Sequence, residues 1–537
     1  MEFLRFLRTV SHLKPVQIYG RVLYRLHSPS PRLGSAPPLR DRHETWVVST
    51  AREASLLGPT HVRFLNVEGE IAAAAQWNDP ARDKLWLYNL HYFDDLNAGD
   101  RNIDWQRALI ARWIAENPPG FGNGWEPYPV SLRIANWIKW ALAGHALEPG
   151  WCDSLAVQAR WLEDRIEWHL QGNHLLANAK ALVFAGLFFE GEEAGRWLTK
   201  GLSILQAQLP EQILADGGHF ERTPMYHAII LEDLLDLINL SRAYGGVDAA
   251  ADWQVAAGRM RAWLAAMTHG DGGIGFFNDA AFKIAATLAQ LEDYALRLGL
   301  GPAAREPTRL LHLRASGYLR LAMGDAVVLA DAAPVGPDYL PGHAHADTLS
   351  FEFSLGGERV VVNGGTSVYG TGPQRQFERS TAAHSTVEVD AENSSEVWGG
   401  FRVGRRARIR DLNAVERSSE IVVSAAHDGY RRLGRYRLHR RGWVLGGSAL
   451  TVTDDVEGSI SSAVARFHLG PAIEIGLDGG NRSGSLVLPS GRRIAWKTSA
   501  EARIEPSQWH PEFGISIATK QLFVPLADHR LQTVFSW

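Results

Sequence analysis

One cysteine, Cys152, serves all 537 residues. With no second thiol an internal disulfide is excluded, and no oxidising compartment is required. No uninterrupted apolar stretch is long enough to span a bilayer. Nor is there a large excess of one charge, and a net charge of −4 argues against wholesale attraction to nucleic acid. The opening stretch, MEFLRFLRTVSHLKPVQIYGRV, is interrupted by Arg5, Arg8 and Lys14 before a long apolar core develops, so it does not read as a secretory signal. The expected location is cytoplasmic, with a periplasmic or membrane-associated one left open. Phe3, Leu4, Leu7 and Val10 share a helical stripe beside basic residues, which suits either a membrane surface or docking on the main body.

What the chain does have is length and two kinds of hydrophobic periodicity. At 537 residues two or three domains are expected, and 45% hydrophobic with 21% charged residues is ordinary for a globular protein. Residues 1–45 hold an N-terminal helical segment and a Pro/Ser-rich linker over 27–41. Over 46–312 the apolar residues recur every three or four positions, as in DWQRALIARWIAEN and SLRIANWIKWALAGHAL, at lengths that suit antiparallel helical hairpins. The stretch NHLLANAKALVFAGLFF is apolar nearly all round, which predicts burial between other helices. Over 313–537 the period changes to two, with turn signals between short strands such as GSLVL and LQTVFSW. A run of helices followed by a run of strands indicates an α+β multidomain chain, a toroid of helical hairpins joined to an antiparallel β-sandwich, with a crevice between them for a ligand.

Several polar clusters break these patterns. GNHLLANAK places Asn173, His174, Asn178 and Lys180 at the start of an apolar helix, where Asn173 also suits a helix cap. In DGGHFERTPMYHAII, Thr223 and Pro224 read as cap and first helical residue. Tyr226 then lies in the first turn, where the helix dipole favours a phenolate and a proton-shuttling role. In GHAHADTLSFEFSLGGERVVVNGG, alternating apolar residues from Leu349 to Leu355 predict a strand with one buried face, and Gly356-Gly357 the turn of a hairpin. An extended chain would carry His343, His345 and Asp347 on the apolar side, and an H-x-H pair is a metal signal. A third ligand is available from Asp347, Asn363 or His384. Arg375 and Arg379 are placed to meet an acidic ligand. Arg406, Arg408 and Arg410, and again Arg435, Arg437, His439 and Arg441, alternate as cationic rows. Among 19 tryptophans, Trp86, Trp125 and Trp137 are candidates for stacking on sugar rings.

GNHLLANAKAL, FERTPMYH, GHAHADTLSFEF with NGGTSVY, and RSTAAHSTVEVD occur in the order and spacing of the heparinase II/III family, and the chain resembles its heparinase III-like polysaccharide lyases over roughly residues 85–445. The resemblance implies an incomplete (α/α) toroid followed by a β-sandwich, and β-elimination of uronic-acid-containing glycosaminoglycans such as heparin or heparan sulfate. It implies Asn173 as the group that neutralises the uronate carboxylate, Tyr226 as acid/base and His343 as the catalytic histidine. Beside these, His174, Glu221, Arg375, Arg379, Trp125 and His427 are candidate substrate-binding positions. His345, Asn363 and His384 match metal-ligand positions for a structural divalent ion (zinc, calcium or manganese). Relatives carry aspartate where this chain has Asn363, which lowers metal affinity. Either Asp347 compensates or the histidines are hydrogen-bonded instead.

The leading expectation is therefore a lyase with an acidic polysaccharide or oligosaccharide as its partner, and no nucleic acid. A uronosyl C5-epimerase shares the proton abstraction, and a non-catalytic glycan-binding protein of polysaccharide assembly shares the scaffold. Sugar identity, linkage, endo or exo action and oligomeric state are not legible in the chain.

Overall fold

A computed structural model describes residues 2–27, 29–100, 102–303, 308–434 and 436–537. The first half is built from paired helices, among them Pro127–Leu142, Pro149–Asp164, Gly172–Phe188, Glu192–Gln212, Pro224–Tyr244 and Ala250–Ala266. Helix Gly172–Phe188 is buried along its whole length except at His174, as its all-round apolar character predicts, and packs on Pro127–Leu142, Glu192–Gln212 and Pro224–Tyr244. Its polar residues are satisfied within the helical body. Lys180 pairs with Asp233 and Asp236, and Asn178 donates to Ser131 Oγ and to Glu167. Tryptophan fills much of this core: Trp77, Trp113, Trp137 and Trp140 are fully buried. A small hairpin, His61–Phe64 with Val67–Glu70, interrupts the helical range.

The second half is two antiparallel sheets, one of eight and one of nine strands, closing over a shared apolar core. The first strand, Leu310–Leu313, pairs with Tyr318–Met323, so the β-half starts within the range the periodicity assigned to helices. The hairpin Phe351–Leu355 and Glu358–Val362 turns through Gly356 and Gly357, both at positive φ (62° and 85°), as a tight primed turn requires. Here two expectations fail. Strand Phe351–Leu355 is buried on both faces, because Glu352 and Ser354 bond His269 from the helical half rather than water. Residues 343–349 form a loop, not an extended lead-in, with Leu349 at φ 62°.

The cationic rows dissolve into pairs. In strand Leu438–Gly446, His439 and Arg441 face inward onto Asp454, while Arg410 meets Asp428 and Arg406 meets Asp338. Arg435 lies outside the described residues. The two halves are joined by the loop after Ala250–Ala266. Asp279 N–H donates to the His343 carbonyl, Thr366 N–H to Ala280, and Phe282 N–H to Pro511.

Candidate active site

The loop 276–282 delivers one carboxylate, Asp279, to the seam between the halves. His343 Nδ1 lies 2.9 Å from Asp279 Oδ2, and His345 Nε2 lies 2.8 Å from Oδ1. Arg375 grips both oxygens, with Nη2 2.8 Å from Oδ2 and Nη1 on Oδ1. The two histidines of the H-x-H pair therefore converge on a carboxylate. Burial alone would raise the Asp279 carboxyl, but the Arg375 guanidinium and the two imidazoles override it and hold it well below the usual range. A carboxylate only accepts, so His343 carries a proton on Nδ1 and turns Nε2 toward the Glu221 side of the seam.

Two side chains on or beside the helices, Tyr226 and Glu221, meet His343. Thr223 caps helix Pro224–Tyr244 by accepting the Tyr226 N–H at 2.8 Å, which fixes Tyr226 in the first turn. The Tyr226 ring stacks on His343 at 3.9 Å between centroids, and its hydroxyl lies 3.1 Å from that of Tyr369. Burial, then the neighbouring Tyr369 and Tyr128 hydroxyls, push the Tyr226 phenol well above the usual tyrosine value. This reverses the expectation of a dipole-stabilised phenolate: loss of water outweighs the helix end, and Tyr226 keeps its proton.

Asn173 is not the helix cap; that position is Gln171. Instead the Glu221 carboxylate accepts the Asn173 backbone N–H at 3.0 Å and its side-chain amide at 3.1 and 3.2 Å. Glu221 Oε2 sits 3.4 Å from His343 Nε2. Gly172, at φ 56°, makes this approach possible, since a Cβ there would stand 2.5 Å from Glu221 Oε1. His174 stacks on Tyr128 at 4.4 Å and bonds Glu167, keeping part of its ring exposed at the same helix start.

Other expected positions lie elsewhere. Trp125 is buried among Trp113 and Trp161 and donates to the Asn117 carbonyl, so it packs the helical core and meets no sugar. His427 is enclosed in the sandwich against His439 and Tyr430. Arg379 is fully buried, spending its guanidinium on the carbonyls of Ala344, Gly399 and Arg402. Arg375, also fully buried, orients Asp279 rather than meeting a ligand. In each case a polar or aromatic residue type was visible in the sequence while its burial was not.

The positions implied for a metal are engaged by neighbouring protein groups. Asn363 donates to the Phe276 carbonyl at 2.9 Å and to Ser350 Oγ at 3.2 Å, and its oxygen accepts the Ser385 N–H at 3.0 Å. His384 Nδ1 faces the Ser380 carbonyl, and its Nε2 lies 3.1 Å from His345 Nδ1. Asp347 accepts from Asn278 N–H, so it does not compensate. Among the described residues no three His, Cys, Asp or Glu side chains are grouped to hold an ion. An amide that donates to two acceptors suits a hydrogen-bonded joint, where a carboxylate would suit a cation.

Asp279 and Tyr369 are the site residues that sequence reasoning missed. Asp279 sits in GFFNDAAFK, where the only signal is a polar pair inside an apolar run. Asn278 bonds Tyr318 and the backbone of Arg222 and His345, so this pair pins the two halves together.

Residues 105–297 match the heparinase II/III N-terminus and residues 305–537 match the Heparinase II/III-like C-terminal region. A heparin-sulfate lyase of Bacteroides stercoris is 25% identical over 329 residues, 57% of this chain and 46% of that one. The chain spans about half the length of two of the heparin-sulfate lyases it matches (46% and 47%). FtsZ-localized protein C of Caulobacter vibrioides is 26% identical over 462 residues, 79% of this chain and 74% of that one. The crystal structure of heparinase III superposes with a TM-score of 0.73 at 17% identity, covering 97% of this chain and 89% of that one, and so shares the two-part fold. With both halves matched in order, the chain belongs to the heparinase II/III family.

Proposed function

We propose that the protein is a polysaccharide lyase that cleaves a uronic-acid-containing acidic polysaccharide by β-elimination. The observation that carries this reading is the stacking of a protonated Tyr226 on His343, at 3.9 Å, beside the Asn173–Glu221 pair. Removing the C5 proton of a uronate is hard because its carboxylate is already negative, so the site must supply a base, an acid and hydrogen-bond donors. His343 Nε2, backed by Asp279 on Nδ1, takes the C5 proton. The electron pair forms the C4–C5 double bond as the C4–O bond breaks, and the Tyr226 hydroxyl gives its proton to the departing glycosidic oxygen. The Asn173 amide holds its hydrogens on Glu221, and a uronate carboxylate entering the cleft competes for them.

A second reading, a non-catalytic glycan-binding protein of polysaccharide assembly, is favoured by one observation: a relative covering most of both chains is named for its localisation rather than for a lyase activity. One experiment separates the readings. Wild type and Tyr226→Phe are screened across acidic polysaccharides for the ultraviolet absorbance of an unsaturated uronate. A rise with wild type alone supports the lyase. Solvent deuterium entering C5 without chain cleavage supports an epimerase, and binding without either supports the assembly role.

A further inference from the structure

The N-terminal helices dock with their polar sides inward. At about 100° per residue, Gln17, Gly20 and Tyr24 of helix Pro15–Leu26 fall on one side. That side meets the body, with Gln17 donating to the Tyr339 carbonyl, Gly20 on His169, and Tyr24 against the His169 ring. Ile18, Tyr19, Val22, Leu23 and Leu26 fall on the opposite side, and all five are exposed, Leu26 at 78%. Helix Glu2–Val10 repeats the arrangement. Its Arg8 pairs with Glu396 and its Thr9 bonds Val403 and Trp398, while Phe3, Leu4, Phe6 and Leu7 point outward, Phe3 at 71%. Nine of the 23 large apolar side chains exposed among the described residues thus lie within the first 26 positions. Scattered exposed apolar residues are ordinary, but a concentration of them on two consecutive helices marks an interaction surface.

Charge identifies what that surface meets. Residues 1–30 carry five lysines and arginines against one carboxylate, Glu2, in a chain whose net charge is −4. Arg21 and Arg25 flank the apolar side of the second helix, exposed and without an ion pair among the described residues. A second copy of the chain would bring arginine toward arginine. An apolar face rimmed by arginine, with Phe3, Phe6 and Tyr19 at its surface, matches the interface of an anionic bilayer. We propose that helices Glu2–Val10 and Pro15–Leu26 seat the protein on an anionic lipid surface, apolar sides inserted and arginines among the headgroups. The first helix rests on the short hairpin of Val397–Trp398 and Arg402–Val403, whose connecting Phe401 lies 6.2 Å from the His343 ring, so docking holds the cleft beside the membrane.

Full-length protein is sedimented with vesicles of phosphatidylcholine containing about a third phosphatidylglycerol, and with phosphatidylcholine vesicles alone. The wild type is expected to pellet with the anionic vesicles, less so as salt rises, and several-fold less with the neutral ones. Leu7→Ser with Leu23→Ser is expected to weaken partition roughly tenfold. Arg21→Glu with Arg25→Glu is expected to weaken it by a similar roughly tenfold factor on anionic vesicles alone. Both variants change exposed positions, and circular dichroism should show wild-type melting. Absence of pelleting with either vesicle, or pelleting undiminished in both variants, overturns the proposal. So does a dimer in sedimentation velocity that Leu7→Ser with Leu23→Ser dissociates, because a second copy then covers the face.

Discussion

The cleft and the sandwich core contain nearly the same cluster of side chains. At the cleft, Asp279 is gripped by Arg375 and by His345, whose Nδ1 lies 3.1 Å from His384 Nε2. In the sandwich, Asp454 is gripped by Arg441 at 2.7 and 3.0 Å and by His439 at 2.7 Å, which shares a hydrogen bond with His427 at 3.2 Å. Both carboxyls are held low, Asp454 at about 2, where burial works upward and Arg441 with His439 prevails. The difference is a third histidine. His343 occupies the second oxygen of Asp279, keeps 15% of its side chain exposed, and carries Tyr226 on its face. The sandwich cluster is fully enclosed and every nitrogen facing its carboxylate is used within it. A histidine–aspartate–arginine group is thus structural when closed, and becomes chemical only when one imidazole reaches a cleft beside a proton donor.

Mutations at matched positions break this comparison in opposite ways. Tyr226→Phe removes the proposed acid and should lower turnover by at least about 10³-fold with KM little changed, measured by product absorbance. Asp279→Asn leaves His343 without the acceptor that sets its tautomer, and turnover should fall about 10²- to 10⁴-fold. Asp454→Asn should instead cost about 3–5 kcal/mol in urea unfolding, with turnover per folded molecule unchanged. An Asp454 variant that folds normally but fails to turn over would erase the distinction between the clusters.

Acid sharpens the same contrast. Because the folded Asp454 carboxyl is depressed to about 2, the unfolded chain binds more protons below the ordinary aspartate value near 4. Stability therefore falls as pH drops from about 4 toward 2, and Asp454→Asn should flatten that limb in pH-dependent melts. Smaller again is the effect of metal. Dialysis against a chelator should leave both turnover and melting unchanged, whereas Asn363→Asp, which loses the donors to Phe276 and Ser350, should cost about 1–3 kcal/mol.

The organisation of the fold was largely legible. A period of three to four marks the helices and a period of two the strands, because each element must bury one face. The Thr223-Pro224 pair announces the helix that carries Tyr226, since capping is a local event. The site was legible only where residue type and local position suffice, as for the grouping of Asn173, Glu221, Tyr226 and His343. Trp125, Arg379 and His427 show the limit: each type suits a sugar or an acid, and each is enclosed by neighbours remote in sequence. Strand Phe351–Leu355 alternates as if half-exposed, yet its polar side meets His269 across the seam.

By itself the sequence determined the two periodicities, the family's motifs in order and an N-terminal segment that is apolar and basic together, all of which depend on neighbours along the chain. Only the tertiary structure decided that both histidines of the H-x-H pair converge on Asp279, that Tyr226 keeps its proton, and that the N-terminal helices turn their apolar sides outward. Those outcomes depend on burial and on side chains brought together from dozens to hundreds of residues apart, and neither is written in local spacing.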